Sequence, residues 1–400
     1  MSRKVINVIS SHFTPENTAA SHRMETAARV LSASFDVHVY TLTERGKKYP
    51  SDREQWSDSL TVHYIYLPAY PKSFFPVRAF FEWWYSRKVV RASNQTPADL
   101  VLVTAPFMFL LHSVSRYSKA GKKVADVRDL VWHYLPERNF IQRGIKKLFS
   151  GIIHRALKKY DAVTVTNEAE KKWLKKNAAL QGDVIYVVSN GIADDKFRVL
   201  QGLHPTALKN EYVITYVGNI GHSQVIMPLI DAVKNVKGIR LNLIGDGSER
   251  RKIQQYLHQE DVRNVFLPGK LKWTRTVPYY QSSSLLVAGL KEEFNTAIPS
   301  KLYEYLATGL PVLYLGGGVA AELLKGFENT YALPYADPIS IKKELLKIMH
   351  DGRYISSENT RMIHDSYLRN RLSKRFVEIS AGLLQEKELS NLFVEDLLSV

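Results

Sequence analysis

The chain has 400 residues, 45% of them hydrophobic and 24% charged, and this length exceeds what one typical core fills, so we expect two globular domains. It contains no cysteine, which excludes disulfides, thiolate catalysis and cysteine-bound zinc and favours a reducing cytoplasm. Its 55 Lys and Arg against 39 Asp and Glu give a net charge of +16, which favours phosphorylated substrates, anionic lipid or nucleic acid as partners, or else a solvated basic surface.

The first segment, residues 4–11, alternates like a strand. Its apolar run is short and is interrupted by Asn7, so it is not typical of a signal peptide. No window approaches the ~18 consecutive apolar residues of a membrane-spanning helix. The loop of residues 10–23 should border a ligand cleft, because it follows the carboxyl end of this strand. Asn17 or Thr18 is expected to cap the helix that follows.

Short β-branched, apolar runs alternate with segments of helical length along the chain. The runs of the first half are residues 4–11, 35–42, 61–67, 99–105, 122–128, 161–167 and 183–190. Those of the second half are residues 212–218, 239–245, 264–269, 283–290 and 311–317. This alternation predicts an α/β protein whose parallel sheets are covered by helices.

Residues 191–211 have no periodicity and predict a domain boundary. We therefore expect two doubly wound, Rossmann-like domains, residues 1–200 and 201–375, that face a central cleft. The end of the chain, residues 376–400, has an amphipathic helical pattern. It is expected to pack back on the first domain, with a role in association as the alternative.

Two regions of the first half concentrate positive charge. Residues 138–176 carry many Lys and Arg, and residues 74–91 mix aromatic side chains with arginines and one lysine. Aromatic residues beside cations are typical of helices that lie at a membrane interface. A partly buried helix at an acceptor cleft would show the same composition.

Three charged residues, Asp126, Arg128 and Asp129, end the run at 122–128. Charges at a strand end are costly if they are buried without partners. They are therefore either cleft residues or a paired structural cluster. His12, His22 and His133 lie on the loops at this end of the first domain, and each alone is more often structural than catalytic.

The segment of residues 298–318 predicts a short helix, a glycine stop and a buried strand. Pro299 suits a helix start, and Ser300 suits a cap. Lys301 in the first turn is unfavourable unless an anion binds there. Glu304 lies one turn along the same face, a rise of ~5.4 Å, which suits diphosphate at the helix tip and ribose hydroxyls on the carboxylate. The alternative is a capped helix with a surface Lys–Glu pair.

Two glycine-containing turns precede this helix. In residues 216–224 a strand ends in Gly218, Asn219, Ile220 and Gly221, and glycine lets the backbone approach a phosphate closely. Only two glycines are present, so this is not the GxGxxG fingerprint. Residues 241–254 contain a Gly-Asp-Gly turn that we interpret as an ordinary connection between strand and helix.

Several motifs are absent. The sequence has no Asp-x-Asp, P-loop, HExxH or Gly-x-Ser-x-Gly. The carboxylate clamp for a metal-bridged diphosphate is therefore missing, and we expect no metal and no other cofactor. The phosphate charge would be met by helix ends, backbone N–H groups and basic side chains, which agrees with Lys301.

In order along the chain, these blocks resemble GT-B glycosyltransferases of family 4, the retaining enzymes that use nucleotide sugars. The resemblance rests on residues 126–130, 188–192, 216–224, 243–250, 264–269 and 299–312. The last block is the most specific. The chain is most similar to the bacterial subgroup that transfers N-acetylated amino or deoxy sugars in O-antigen and capsule assembly.

The chain departs from the family pattern in two places. Many members carry Gly-Arg-x4-Lys, where this sequence has Asn219 and Gln224. Many also carry two glutamates separated by seven residues, where this sequence has Thr296 and Glu304. The missing glutamate suggests a donor that lacks a hydroxyl there, or contacts through Asn295 and backbone N–H groups.

The resemblance implies three sets of site residues. The donor site would comprise Gly218, Asn219, Gly221, Gln224, Thr296, Pro299, Ser300, Lys301 and Glu304. Catalytic roles would fall to Asp126, Arg128 and Lys301. The acceptor side would include His12, Asn17, Thr18, His22 and Asp129.

The implied reaction moves a sugar from a nucleoside diphosphate, with UDP expected, to a lipid-linked oligosaccharide or polysaccharide acceptor. The protein would act in the cytoplasm, with a peripheral position on the inner face of the membrane. The alternatives are a GT-B nucleotide-sugar epimerase, a phosphorylase, or a non-catalytic basic protein. Nucleic acid is not an expected partner, because no aromatic-basic RNA motif is present.

Overall fold

The computed structural model describes residues 3–16, 18–44, 52–68, 75–105, 108–204, 206, 211–334, 337–352 and 355–385. The chain forms two compact units. The first unit comprises Met1–Asn190 and Arg369–Val400, and the second comprises Gly191–Leu368.

The first unit contains an eight-stranded sheet in the order β3-β4-β2-β1-β5-β6-β7-β8. Its strands are β1 (Val5–Ser10), β2 (Asp36–Glu44), β3 (Arg53–Ser57), β4 (Leu60–Leu67), β5 (Leu100–Thr104), β6 (Lys122–Val127), β7 (Ala162–Val165) and β8 (Ile185–Val187). All neighbours are parallel except β3 and β4. In the middle of the sheet, Ile6 of β1 lies opposite Val37 and Leu100.

Six helices cover this sheet. They are α1 (Ala19–Ser32), α2 (Phe75–Ser93), α3 (Met108–Tyr117), α4 (Phe140–Leu157), α5 (Glu168–Asn177) and α14 (Arg369–Leu384). Thr18 caps α1 as predicted, because its hydroxyl accepts the Ser21 N–H in a capping box. Asn17, the other predicted cap, lies outside the described residues.

The second unit contains a six-stranded, all-parallel sheet in the order β11-β10-β9-β12-β13-β14. The strands are β9 (Tyr212–Val217), β10 (Ile239–Ile244), β11 (Val265–Gly269), β12 (Leu285–Gly289), β13 (Val312–Leu315) and β14 (Thr330–Leu333). The helices are α6 (Asp194–Gln201), α7 (Ile226–Val233), α8 (Arg250–Gln259), α9 (Trp273–Ser282), α10 (Lys301–Ala307), α11 (Gly318–Leu324), α12 (Pro338–Asp351) and α13 (Ser357–Tyr367).

All twelve predicted strands are present, and the fold class is confirmed as two Rossmann-like α/β units. Two strands were not predicted. β3 alternates exposed and half-buried residues at the sheet edge, and β14 has only four residues at the other sheet's edge. Edge strands lack the continuous apolar run that marks a strand buried on both faces.

The domain limits predicted at 200/201 and 375/376 need correction. The chain passes into the second unit at 190/191 and returns to the first at 368/369. Helix α6 belongs to the second unit because Phe197 and Leu200 are buried in the same core cluster as Leu302 and Leu306. Helix α14 packs on α1, so the predicted return of the chain's end to the first domain is confirmed for the described part of it.

We predict that Phe376→Ala lowers the free energy of unfolding of the first unit by about 3–5 kcal/mol. Phe376 lies on α14, is 1% exposed, and its ring receives the guanidinium of Arg23 at 5.3 Å. Truncation would leave a cavity in the core shared with α1. Urea unfolding followed by fluorescence measures the loss.

The matched control is Phe140→Ala, at a phenylalanine of the same unit that is 77% exposed. It should change the free energy of unfolding by less than about 0.5 kcal/mol. Equal effects of the two substitutions would contradict the packing of α14 described here.

Candidate active site

The glycine turn after β9 is joined to the turn after β10. The Gly218 N–H donates to the Ile244 carbonyl at 2.9 Å, and the Ile220 N–H donates to the Asp246 carbonyl at 2.8 Å. Gly245 has a φ of +149°, and a Cβ there would lie 1.8 Å from the Gly218 carbonyl oxygen. A side chain at Gly245 would therefore push the turns apart. The segment 241–254, expected to be an ordinary connection, is the support of the glycine turn.

Lys301 reaches this turn from the first residue of α10. Its Nζ donates to the Tyr216 hydroxyl at 2.6 Å and to Gln224 Oε1 at 3.3 Å, and it lies 3.8 Å from the centre of the Tyr216 ring. A Cβ on Gly218 would come within 2.7 Å of Nζ. The structure therefore brings together three predicted donor residues, Gly218, Gln224 and Lys301. Tyr216, which completes the cluster, was not predicted.

The Lys301 ammonium is held by a π face and neutral oxygens in place of a carboxylate. Burial lowers the pKa of Lys301 to about 7, against the opposing effect of Glu304. Burial raises the pKa of the Tyr216 hydroxyl, so that group stays protonated and neutral. An anion bound beside Nζ would favour the charged form of the lysine.

The residues that precede α10 form its entry loop. Ser300 occupies the N-cap position, but its side chain makes no capping hydrogen bond, so that expectation is wrong. The Pro299 carbonyl accepts the Leu302 N–H at 3.0 Å. The Asn295 carbonyl, next to Thr296, accepts the Val319 N–H at 2.9 Å. The loop is thereby fixed to the glycine turn at 316–318.

Glu304 points away from Lys301. Its carboxylate accepts from Lys196 Nζ at 2.6 Å, from Trp273 Nε1 at 3.2 Å and from the Tyr280 hydroxyl at 3.3 Å. No ion pair joins Glu304 and Lys301 in the described chain, so the alternative of a surface Lys–Glu pair is wrong. The three partners come from α6 and α9 and were not predicted, because no sequence spacing relates those helices to α10.

A cavity of about 780 Å³ lies in the same unit. Its lining includes Val225 and Asn295, the neighbours of the predicted donor residues Gln224 and Thr296, together with the glycine turn at 316–318. Lys301, Gly218 and Glu304 do not line it. The cavity therefore borders the Lys301 cluster without being its centre.

Asp126, predicted to be catalytic, forms a closed ion pair in the first unit. Its carboxylate is fully buried and accepts from Arg23 at 2.8 and 3.1 Å. The hydroxyls of Thr104 and Thr164 lie at 3.2 and 2.7 Å and complete four hydrogen bonds. Burial alone would raise the pKa of Asp126, but Arg23 holds it below the ordinary value. This geometry matches the paired structural cluster that the sequence left open as an alternative, and a catalytic role for Asp126 stays a prediction.

Arg23 extends that pair to the end of β8. Its NH2 donates to the Val188 carbonyl at 2.9 Å, and its NH1 donates to the Ser189 carbonyl and to Asn190 Oδ1, both at 3.2 Å. One guanidinium thus joins α1, β6 and the segment where the chain leaves the first unit. Sequence analysis missed Arg23, because it reads as one more polar residue of an amphipathic helix.

Arg128 and Asp129 lie in the segment directly after β6. Arg128 is 9% exposed, and its Nε has no hydrogen-bond partner. Burial raises the pKa of Asp129, which is partly exposed, against the opposing effect of Arg128. Glu170 of α5, not predicted, is fully buried, and burial raises its pKa to about 8.

The predicted acceptor-side loop is described except for Asn17. His12 pairs with Glu16 at 2.8 Å, and the Ser10 hydroxyl donates to the His12 carbonyl. The His22 carbonyl accepts from Thr26 within α1. These contacts order the loop, and the acceptor-side role of His12, Thr18 and His22 stays a prediction.

The described residues contain no group of three His, Asp or Glu side chains placed to hold a metal ion. Among the described helices, none has the length and apolar character needed to cross a bilayer.

Two sequence families cover most of the chain. Residues 20–196 match the family described as glycosyltransferase family 4, and residues 211–351 match the one described as glycosyl transferases group 1. The chain carries the two domains of a GT-B glycosyltransferase. The resemblance found in the sequence is confirmed at this level. The comparisons give no support for an epimerase or a phosphorylase.

An uncharacterised glycosyltransferase of Methanocaldococcus jannaschii is 22% identical to this chain over 202 residues. The match covers 48% of this chain and 56% of that protein. The chain therefore spans little more than half the length of the curated relative that it matches.

Solved structures share the GT-B fold over nearly the whole chain. Sucrose-phosphate synthase from Thermosynechococcus elongatus has a TM-score of 0.78 at 16% identity and covers 96% of this chain and 100% of its own. WaaG, a glycosyltransferase involved in lipopolysaccharide biosynthesis, has a TM-score of 0.66 at 15% identity and covers 94% of this chain and 99% of its own. HepE of Anabaena, solved with UDP and glucose, has a TM-score of 0.66 at 13% identity and covers 95% of this chain and 99% of its own. At these identities the likeness shows the fold alone.

We predict that Asp126→Asn destabilises the protein by about 3–5 kcal/mol, because it leaves the buried guanidinium of Arg23 without its carboxylate partner. Glu25→Gln, which removes a partly exposed pair with Arg29 on the same helix, should cost less than about 1 kcal/mol. Urea unfolding at pH 7 compares the two variants.

The pH dependence gives a second readout of the same pair. Because the folded pKa of Asp126 is lowered, its stabilisation is present above the ordinary aspartate pKa of about 4 and is lost as pH falls through the folded pKa. That acid-dependent part should be absent in Asp126→Asn. A stable Asn variant would contradict the structural role.

Proposed function

We propose that the protein is a retaining, metal-independent glycosyltransferase. It would transfer a sugar, in our proposal an N-acetylated amino or deoxy sugar, from UDP to a lipid-linked or saccharide acceptor in the synthesis of surface polysaccharide. The observation that carries this proposal is the position of the Lys301 ammonium against the Gly218 turn and Gln224. The assignment of UDP is supported by HepE, whose structure was solved with UDP and glucose.

Lys301 compensates for the basic residues that the sequence lacks. Asn219 and Gln224 stand where many family members have Arg and Lys. Lys301 Nζ lies 3.3 Å from Gln224 Oε1, so one cation from α10 reaches the side chain that replaces the missing lysine. A diphosphate on the glycine turn would therefore still meet one positive charge and the backbone N–H groups of the turn.

Charge stabilisation of the leaving group is the main catalytic contribution in this proposal. When the bond from the anomeric carbon to the diphosphate breaks, negative charge develops on the diphosphate oxygens. The Lys301 ammonium is already in place and partly desolvated, so it can stabilise that charge without reorganisation. The acceptor oxygen would bond to the anomeric carbon on the face that the diphosphate leaves, and its proton would pass to the departing phosphate. The anomeric configuration is thereby retained without an enzyme nucleophile. Metal independence rests on the missing Asp-x-Asp.

Glu304 is suited to hold the ribose of the nucleotide. Lys196, Trp273 and Tyr280 fix the plane of its carboxylate through three hydrogen bonds. A carboxylate has about four acceptor positions, so one remains for a ribose hydroxyl. The Lys196 pair prevents Glu304 from neutralising Lys301, which leaves the ammonium to the diphosphate.

The proposed membrane association rests on a surface of the first unit formed by α2, α3 and α4. Helix α3 contacts both of the others. Six of the eleven exposed large apolar side chains of the described chain lie here: Phe80, Trp84, Tyr117, Phe140, Ile141 and Leu148. The three helices carry nine Lys and Arg against one acidic residue, Glu82, and that residue is buried and paired with Arg78.

We call this surface of α2, α3 and α4 the aromatic–basic face. On α2 its exposed positions follow helical spacing, with Phe80 and Trp84 toward the start and Arg87 and Arg91 toward the end. Aromatic side chains can enter the interfacial region while the cations remain at the lipid phosphates. An anionic membrane would thereby bring the protein to a lipid-linked acceptor.

We predict that UDP and UDP-sugars raise the melting temperature of the protein with EDTA present, and that Lys301→Met weakens their binding at least about tenfold. Lys252→Met, at an exposed lysine of the same unit, is the control and should bind normally. Isothermal titration gives the dissociation constants. If no nucleoside diphosphate or nucleotide sugar binds, the proposed function fails.

The same titration should depend on pH. With a Lys301 pKa of about 7 in the free protein, only the protonated fraction binds the diphosphate well. The dissociation constant for a UDP-sugar should then rise by up to about tenfold per pH unit above pH 7. Lys301→Arg, which keeps its charge, should remove this slope.

We predict that the double variant Phe80→Ser, Trp84→Ser reduces flotation with vesicles of phosphatidylglycerol at least about tenfold, because it removes the two aromatic anchors of α2. Ile339→Ser with Leu346→Ser, at exposed apolar residues of α12, is the matched control and should float normally. High salt should weaken binding of the wild type. Equal flotation of all three proteins would remove the membrane part of the proposal.

A further inference from the structure

Several buried polar atoms without partners lie at the carboxyl ends of the first unit's strands. Ser11 Oγ follows β1, Thr43 Oγ1 lies near the end of β2, Arg128 Nε follows β6, and Glu170 Oε1 lies in the helix after β7. Buried polar groups are normally hydrogen-bonded, and leaving them without partners costs free energy. Arg128 and Glu170 follow the neighbouring strands β6 and β7, so these two unpartnered groups lie at the same ligand-binding edge of the sheet.

Arg128 is the charged member of this group. Its side chain forms no hydrogen bond and no ion pair with any residue in the described part of the chain, although it is 9% exposed. Arg23, in the same unit, makes five hydrogen bonds and already pairs with Asp126. Asp126, the fully buried and ionised carboxylate near Arg128, is therefore already paired with Arg23.

The other two acids near Arg128, Asp129 and Glu170, favour its charged form but form no ion pair with it in the described part of the chain. Burial raises the pKa of Glu170 to about 8, so this group is mostly protonated at neutral pH. Burial also raises the pKa of Asp129, which makes no ion pair with Arg128. An arginine keeps its charge even when burial lowers its pKa. Arg128 is therefore a buried guanidinium without an ion-pair partner among the described residues.

Glu170 offers a donor beside that cation. Its Oε2 accepts from the backbone N–H and the hydroxyl of Thr166, both at 2.8 Å. A proton on this carboxyl group therefore belongs on Oε1, the oxygen without a partner. A protonated carboxyl group and a free guanidinium are both donors, and together they suit a ligand that is rich in acceptors.

We infer that Arg128 binds a phosphoryl group of the acceptor, with Glu170 Oε1 as a second contact to the same group. The inference deepens the proposed function and rests on it, because it assigns the acceptor a phosphate or diphosphate. A guanidinium matches the oxygens of a phosphoryl group with two parallel hydrogen bonds. The ligand would supply the paired anion that Arg128 does not have among the described residues, and Arg128 would fix the acceptor's charged end.

The test uses the full chain in the Lys301→Met background, which removes the proposed phosphate contact of the second unit. Inorganic pyrophosphate and geranyl diphosphate are titrated separately by calorimetry. Adding Arg128→Gln should weaken both at least about tenfold. Adding Arg143→Gln instead, at an exposed arginine of α4, should change neither. Geranyl diphosphate binding more tightly than pyrophosphate would identify a lipid-linked acceptor, and equal affinity would identify the phosphoryl group alone. Binding that does not depend on Arg128 overturns the inference.

Stability separates a binding role from a structural one. An arginine that holds the fold together should destabilise the protein when replaced, as predicted for the partners of the Arg23–Asp126 pair. An arginine reserved for a ligand should not, so Arg128→Gln without anions should melt at the wild-type temperature or above it. A clear fall in melting temperature would also overturn the inference.

Failure of the inference and failure of the proposed function are distinguishable. If Arg128→Gln in an otherwise native chain binds UDP normally, and the same substitution in the Lys301→Met background abolishes pyrophosphate binding, the inference holds and the donor site is intact. If the wild type does not bind UDP but binds pyrophosphate in a way that depends on Arg128, the proposed donor is rejected. The anion site at Arg128 would still be supported.

Discussion

The buried pair of Arg23 and Asp126 is the interaction on which the first unit depends. A carboxylate at the end of a central parallel strand must be paired, because desolvation of an isolated charge costs several kcal/mol. Arg23 pairs with Asp126 and also donates hydrogen bonds to three acceptors at residues 188–190. One side chain therefore sets where α1 lies and where the chain departs from the sheet. The loops that carry the candidate acceptor residues start from elements fixed in this way.

In the second unit, by contrast, the buried charge of Lys301 is not paired with a carboxylate among the described residues. Lys301 has an aromatic face, a phenol and an amide oxygen for neighbours, and its nearest carboxylate, Glu304, is turned toward Lys196. Burial disfavours such an ammonium, which is the reason for its lowered pKa. Charge that is not neutralised inside the protein is available to a ligand. Arg128 and Lys301 share this property, and Asp126 does not.

The sequence predicts most of the fold because parallel strands buried on both faces read as continuous apolar runs. The edge strands β3 and β14 lack such a run, so the sequence did not predict them. Lys301 could be singled out because a lysine in the first turn of a helix is locally unfavourable. Tyr216, Lys196, Trp273 and Tyr280 could not, because they come from separate elements with no common spacing. In the segment 126–129, three charges look alike in the sequence. Only the position of Arg23, 103 residues earlier, decides that Asp126 is paired and Arg128 is not.

The return of the chain to the first unit has a consequence for biosynthesis. Helix α14 supplies Phe376, Val377, Ile379 and Ala381 to the core that contains β1 and α1. These residues are synthesised after the whole of Gly191–Leu368. The second unit is continuous in sequence, so it can bury its core as soon as it leaves the ribosome. The first unit is translated first, but part of its apolar core stays exposed to solvent until α14 has been synthesised. The first unit is therefore the one that depends on protection from aggregation during synthesis.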